Sequence, residues 1–321
     1  MKVLYTKIRF ILFRVLRITQ LTVWIKDPRL NSIQISAIPE IYSLSETLVH
    51  VPTSSCFYRF ENEVLLLAES NVWNPIVAQE SYGYVPKKCG FRVKEPVVLV
   101  PTQYNYFHWL FEDLPSILNV VQFNKNISAI RAPKLSAFQT EVIDSLFNNQ
   151  IILQQDWCIA EKLMLSPKTP INFMNIDARN TLDILRSTFI SLVSPNVVKV
   201  NRIYIPRKGD NLPKEIEILL QNYLISEGFK IIDLEQLTFR EQVNLFNSAD
   251  FVVAPHGAGL SNLIWSANKV NVFEIFIPNR FNECYRNLSY LLGHRYKSVN
   301  LVECSEISEI IKLLEDFISF K

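Results

Sequence analysis

Two of the four histidines in this 321-residue chain stand in patterns that could support a reaction. The first pattern is Asn105-Tyr106-Phe107-His108-Trp109-Leu110-Phe111-Glu112-Asp113-Leu114-Pro115, which joins an imidazole to two carboxylates. On a helix, His108 and Glu112 lie four apart and share a face. A carboxyl sheltered among histidine and aromatic rings moves toward the working range of a general base. The plainer alternative is a helix entrance in which His108 and Glu112 only bond each other.

The second pattern runs from Asp250 to Trp265. Phe251-Val252-Val253-Ala254 reads as a buried strand, Pro255-His256-Gly257-Ala258-Gly259 as a turn, and Leu260-Ser261-Asn262 as the start of a helix reaching about Ala267. Gly257 and Gly259 let backbone approach a ligand with no Cβ in the way. Ser261 and Asn262 are candidates to cap the helix, whose first N–H groups attract an anion. The glycines form only a partial dinucleotide fingerprint, because the third is missing. His256 stands at the carboxyl edge of the strand, where open α/β sheets bind ligands. Arg207 and Lys208 follow another strand at the same edge; Arg binds a diphosphate in two-pronged fashion and Lys adds charge. The bland alternative is a solvated surface pair. Glu274 closes the strand after the glycine turn, where an acid can accept from ribose hydroxyls.

Several chemistries lack their residues. The chain has no Asp-x-Asp for a carboxylate-held metal–diphosphate site. It has no Gly-x-Ser-x-Gly elbow, and no Walker-type lysine follows its glycines.

Positioning these residues requires regular βα units. Short strand-like runs at Thr47–Val51, Phe57–Phe60, Val64–Ala68, Val72–Ala78 and Val97–Val100 precede the first motif. Helical patterns follow at Ser136–Phe147 and Ala178–Val193, with strands at Ile151–Leu153 and Lys162–Leu165. Beyond Ser194-Pro195-Asn196 the alternation is regular, as in a doubly wound parallel sheet: strands at Arg202–Pro206, Phe229–Leu234, Phe251–Ala254, Val270–Ile275 and Tyr296–Leu301, with helices between and after them. A chain of this length is expected to form two domains, divided as a basic segment 1–25, an α/β half 26–195 and a Rossmann-like half 196–321.

A net charge of +2 argues against a dedicated nucleic-acid binder. Residues 1 to 26 nevertheless hold six Lys or Arg and no acid. Leu4, Ile8, Ile11, Leu12, Val15 and Ile18 fall on one face of a helix there. Such a helix either lies on an anionic membrane through residues 1–24 or packs on its own domain. Arg9, Arg14 and Arg17 interrupt any secretory apolar core. Five scattered cysteines fit reduced thiols. The expected location is therefore cytoplasmic, at the inner face of the membrane if the segment binds it.

Together the motifs resemble the family 61 glycosyltransferases, including bacterial capsular polysaccharide biosynthesis proteins. The resemblance rests on Asn105 to Pro115, Ile203-Tyr204-Ile205-Pro206-Arg207-Lys208, Gly228-Phe229-Lys230-Ile231-Ile232, and Glu241 through Asn262. It implies a GT-B-like fold of two Rossmann-like domains facing across a cleft. It also implies an inverting, metal-independent transfer, with no cofactor, from a UDP- or other NDP-linked sugar to a glycan or lipid-linked glycan of capsular or lipopolysaccharide type. Glu112 then matches the acidic position taken as the base, with His108 and Asp113 in reserve. Arg207, Lys208, His256, Gly257, Ala258, Gly259, Leu260 and Asn262 match the donor site and Glu274 the acid after it, while Asn105 and Trp109 are expected on the acceptor side. Pro206 stands where the family usually has Ser, and Gly209-Asp210-Asn211-Leu212-Pro213 is shorter than the usual loop. That departure keeps open a non-catalytic nucleotide-sugar-binding subunit of a membrane-associated polysaccharide assembly.

Overall fold

A computed structural model describes residues 31–33, 41–50, 55–60, 63–66, 89–101, 105–148, 150–166, 171, 173, 176–194, 199–207, 212–277, 281–301 and 307–319. The basic segment 1–24, the strand expected at 72–78, Pro195-Asn196 and Lys208 lie outside them.

The first sheet contains β1 (Asn31–Ile33), β2 (Ile41–His50), β3 (Ser55–Phe60), β4 (Glu63–Leu66), β5 (Arg92–Leu99), β6 (Ser128–Arg131), β7 (Ile151–Leu153) and β8 (Trp157–Leu165). Its order is β4-β3-β2-β8-β5-β6-β7, with β1 beside β2. β1 to β4 pair antiparallel, and β2 meets β8 antiparallel. β8, β5, β6 and β7 are parallel. Helix α1 links β5 to β6, running Tyr106–His108, Trp109–Asp113 and Leu114–Phe123 without a break; α2 (Ala137–Phe147) links β6 to β7. A capping box between Ser136 and Gln139 starts α2.

After α3 (Ile176–Phe189) the second sheet is wholly parallel. It contains β9 (Arg202–Tyr204), β10 (Lys230–Ile231), β11 (Phe251–Pro255), β12 (Asn271–Phe276) and β13 (Arg295–Asn300) in the order β10-β9-β11-β12-β13. Helices α4 (Lys214–Ser226), α5 (Phe239–Ser248), α6 (Cys284–Leu292) and α7 (Ile307–Ser319) accompany these strands. All five residues of β11 are buried. Successive side chains enter opposite cores, as a sheet covered on both faces requires. Phe251 and Val253 join Leu220, Leu224, Ile310 and Leu314 beneath α4 and α7, while Val252 and Ala254 join the largest core.

That largest core draws on both halves of the chain, from Val98, Ile117 and Leu185 to Val243, Ile264 and Leu288. Polar contacts fasten the same seam. Glu141 of α2 accepts from the N–H groups of Phe239 at 2.6 Å and Arg240 at 3.0 Å. A carboxylate there meets the open donors and positive end of α5. Thr238 and Glu241 complete the cap as a capping box. The observed fold is thus mixed α/β with parallel strands in both sheets.

Some expected elements differ. The strand expected over Phe229–Leu234 is only Lys230–Ile231, followed by a 3-10 turn at Leu234–Gln236 that Asp233 caps. The strand lies at the sheet edge, with a single neighbour, so less of it is held by pairing. The helix expected after the glycine turn is instead a 3-10 helix, Ala258–Trp265. It begins four residues before Asn262, so Ser261 and Asn262 lie within it and neither caps it.

Candidate active site

The order β10-β9-β11-β12-β13 places a switch point between β9 and β11, since the chain leaves β9 to one side and returns on the other. Crevices outside the carboxyl ends of strands at such a point bind ligands. β9 leads there to Ile205-Pro206-Arg207, and β11 to His256-Gly257. The two strands are brought together in fact as well as in outline. The Arg207 guanidinium donates through Nη1 to the His256 carbonyl oxygen. A Cβ on Gly257 would sit 3.3 Å from that same Nη1, so glycine leaves room for the guanidinium. One on Gly259 would come within 2.9 Å of Leu234 Cδ1.

The His256 ring is fixed from several sides. Nδ1 lies 2.6 Å from Glu274 Oε1. A carboxylate can only accept, so Nδ1 carries the hydrogen and Nε2 is left as the second ring position. The imidazole stacks on Phe276 at 5.3 Å and meets Tyr285 at 5.3 Å. Glu274 Oε2 accepts from the Tyr296 hydroxyl. Burial, then the adjacent Glu274 charge, holds that phenol above its ordinary range, so it remains a donor. Tyr285 is also raised well above the ordinary value, first by burial. Cys284 is pushed up to about 12 by burial and the Glu274 charge, and stays a thiol at neutral pH.

These contacts correct the expectation that Glu274 reaches a ribose. Glu274 is fully buried, with one oxygen on His256 and the other on Tyr296. The parallel register of β12 against β13 sets Glu274 opposite Ser298 and brings Tyr296 alongside. No sequence pattern announces that pairing.

Asn262 is corrected in the same way. It is fully buried, donating to Gln242 Oε1 at 2.9 Å and to the Gly259 carbonyl at 3.2 Å. Its Oδ1 accepts from Tyr106 at 2.7 Å and Trp265 Nε1 at 3.0 Å. Leu260 is buried as well. These two residues hold the glycine turn from behind, while His256, Gly257, Ala258 and Gly259 keep partial exposure.

The Tyr106–Asn262 bond joins the two motifs. Tyr106 opens α1, whose stretch Trp109–Asp113 is π-helical, with Leu114 N–H bonding to the Trp109 carbonyl. Pro115 supplies a reason. It has no N–H to offer the carbonyl of Phe111, and its ring crowds that carbonyl, so the turn widens. Such widened turns recur at functional sites. Here the wide turn carries Glu112 and Asp113 inward, leaving them 4% and 0% exposed. His108 Nδ1 lies 3.1 Å from Glu112 Oε1, and a third of the His108 side chain reaches solvent. The imidazole therefore lies between a buried carboxylate and the outside.

Asn105 is exposed, and its side chain accepts from the His108 N–H at 3.3 Å, capping α1. Trp109, expected on the acceptor side, is instead wholly buried, its ring 5.3 Å from Phe138. The wide turn directs it into the shared core. Phe107 extends the link between motifs, with its ring 5.8 Å from Tyr285. Tyr106, Tyr285, Tyr296 and Phe276 were not legible as site residues, because each acts across a tertiary contact.

The family model described as Glycosyltransferase 61 matches residues 106–273, more than half of the chain. The chain belongs to glycosyltransferase family 61. The family 61 match contains His108, Glu112, Asp113, Arg207 and the turn 256–259, and stops one residue short of Glu274. The chain is also similar to the EGF domain-specific O-linked N-acetylglucosamine transferase of Drosophila melanogaster, at 33% identity over 67 residues. That match covers 21% of this chain and 13% of the relative. Among the described residues, no helix is long and apolar enough to cross a membrane.

Proposed function

We propose that this family 61 glycosyltransferase transfers a sugar from a nucleoside-diphosphate donor to a hydroxyl by a single inverting displacement without a metal ion. The observation that carries the reading is Arg207 bonded to the His256 carbonyl at the switch point of a parallel sheet. Arg207, His256 and the Gly257–Gly259 backbone hold the diphosphate and stabilise charge as it departs, and Lys208 adds a further cation. On the other side, Glu112 takes the acceptor proton, with His108 relaying or orienting it and Asp113 as the neighbouring acid. The two α/β halves form a GT-B-like pair around this site. A surface glycan of capsular or lipopolysaccharide type is the proposed acceptor. The relative's name favours testing a protein hydroxyl beside it, and an N-acetylglucosamine donor first.

The chain has no Asp-x-Asp to hold a metal–diphosphate. Nucleoside diphosphate released from a panel of nucleotide sugars, with these acceptors present, is therefore expected to continue in excess EDTA. Activity abolished by the chelator and restored by Mn²⁺ or Mg²⁺ would sink the metal-free mechanism. No turnover of any donor, with no thermal stabilisation by one, would sink the transferase reading as a whole.

The acid-free segment 1–26, with six cations, supports peripheral contact with an anionic surface, where lipid-linked acceptors reside. Each Lys or Arg near such a surface contributes ~1 kcal/mol. Removal of residues 1–24 is expected to abolish co-sedimentation with anionic liposomes while leaving the melting temperature unchanged. A full chain that fails to co-sediment at low salt ends the membrane reading.

A further inference from the structure

Beyond the diphosphate cradle, the carboxyl edge of the second sheet carries one aromatic ring that packing alone does not explain. Phe281 is 65% exposed, whereas Phe276, against which it leans at 4.8 Å, is 2% exposed. Phe276 in turn stacks on the His256 imidazole at 5.3 Å. Phe281 thus stands two ring spacings from the turn that Arg207 supports, over β12, the strand next to the switch point. The chain just after it is tied down. Asn282 Oδ1 accepts from the Cys284 N–H at 2.9 Å, and Glu283 pairs with Arg286 at 2.6 Å. Stacking a flat partner on that ring would remove its exposed apolar face from water. In the second half of the chain, the other exposed large apolar side chains described, Ile218, Leu219, Ile225 and Tyr290, lie on α4 and α6.

We propose that Phe281 is the platform on which the nucleobase of the donor stacks. This rests on the donor-site reading above. A nucleoside diphosphate held by its phosphates at Arg207 and the 257–259 turn extends its ribose and base along the strand ends. A planar π-face there is the group that every base can use, whatever its hydrogen-bonding edge. The ligand class is therefore the base of a nucleoside diphosphate, and the ring contributes affinity without selecting among bases.

Isothermal titration of the full chain with UDP, GDP and inorganic pyrophosphate tests this, using wild type, Phe281→Ala and Phe281→Trp. For Phe281→Ala, the Kd of the preferred nucleoside diphosphate is expected to rise by about 5- to 150-fold, the range of one base–aromatic stack. Pyrophosphate affinity should stay at the wild-type value, since the phosphates do not touch the ring. Phe281→Trp should restore nucleotide binding, and neither change should lower Tm at so exposed a position. Unchanged nucleotide affinity in Phe281→Ala, as expected if the ring instead serves an acceptor sugar, overturns the platform and leaves the donor site standing. So does an equal loss for pyrophosphate. Wild-type protein that binds none of the three probes overturns both readings.

Discussion

Glu112→Gln is expected to lower kcat by ~10²- to 10⁴-fold, the usual contribution of a positioned general base, while donor binding is retained. The substitution keeps the shape of the side chain and its place 3.1 Å from His108 Nδ1, but removes the ability to accept a proton. Because the base acts only as the acceptor hydroxyl attacks, the loss should appear in kcat and in kcat/KM alike. Donor affinity, measured by titration, should be unaffected, since on the proposed reading Arg207 and the glycine turn, not Glu112, hold the diphosphate. Asp113→Asn is the necessary companion. Asp113 is also buried in the wide turn, fully rather than nearly so. Glu112 is the acid placed 3.1 Å from the partly exposed His108. A Glu112→Gln enzyme with near-normal turnover would remove Glu112 from the role, and an inactive Asp113→Asn enzyme would pass the role to the next residue.

Glu274→Ala is expected to cost ~2–6 kcal/mol of folding stability. The carboxylate is buried with His256 on one oxygen and Tyr296 on the other. Its removal leaves two sheltered donors without acceptors, at ~1–3 kcal/mol each. Urea denaturation would register the loss as a lower midpoint with little change in slope. Pairing the change with Tyr296→Phe removes one orphaned donor and should restore part of the stability; additive losses would exclude the network. Activity should also fall by ~10²-fold, the scale of an ångström-sized displacement near a reacting centre. The loss should appear chiefly in donor KM, because the His256 ring and the turn that follows lose their fixed seat. Wild-type stability in Glu274→Ala would show that Phe276 and Tyr285 hold the ring unaided.

The strands of the second sheet, most helices and both motifs were legible in the sequence because they depend on neighbours a few residues away, whereas β1 and β6 of the first sheet were not. The buried run Phe251–Ala254, the Thr238–Glu241 cap and the helix stop at Gly293, with its φ of 72°, are local consequences of side-chain type. His108 and Glu112 meet because four residues separate them on a helix. The Pro115 ring that widens that helix was visible too, though its effect on Trp109 was not. Family membership could be expected from the same short motifs, since such motifs are contiguous.

What the tertiary structure alone decided was the direction each side chain faces and what lies across from it. Glu274 and Tyr296 are 22 residues apart and meet only because β12 and β13 pair in parallel in one register. Tyr106 and Asn262 are separated by 156 residues and meet because one core serves both halves. Sequence spacing marks a residue as able to bond, yet a carboxylate or amide offers the same atoms to a ligand and to a buried neighbour. Its partner is chosen by which surface the packed sheets leave open. Asn262 and Glu274 were therefore read as donor contacts, and packing made them supports. Arg207 and His256, at the ends of adjacent parallel strands, were left at the open edge.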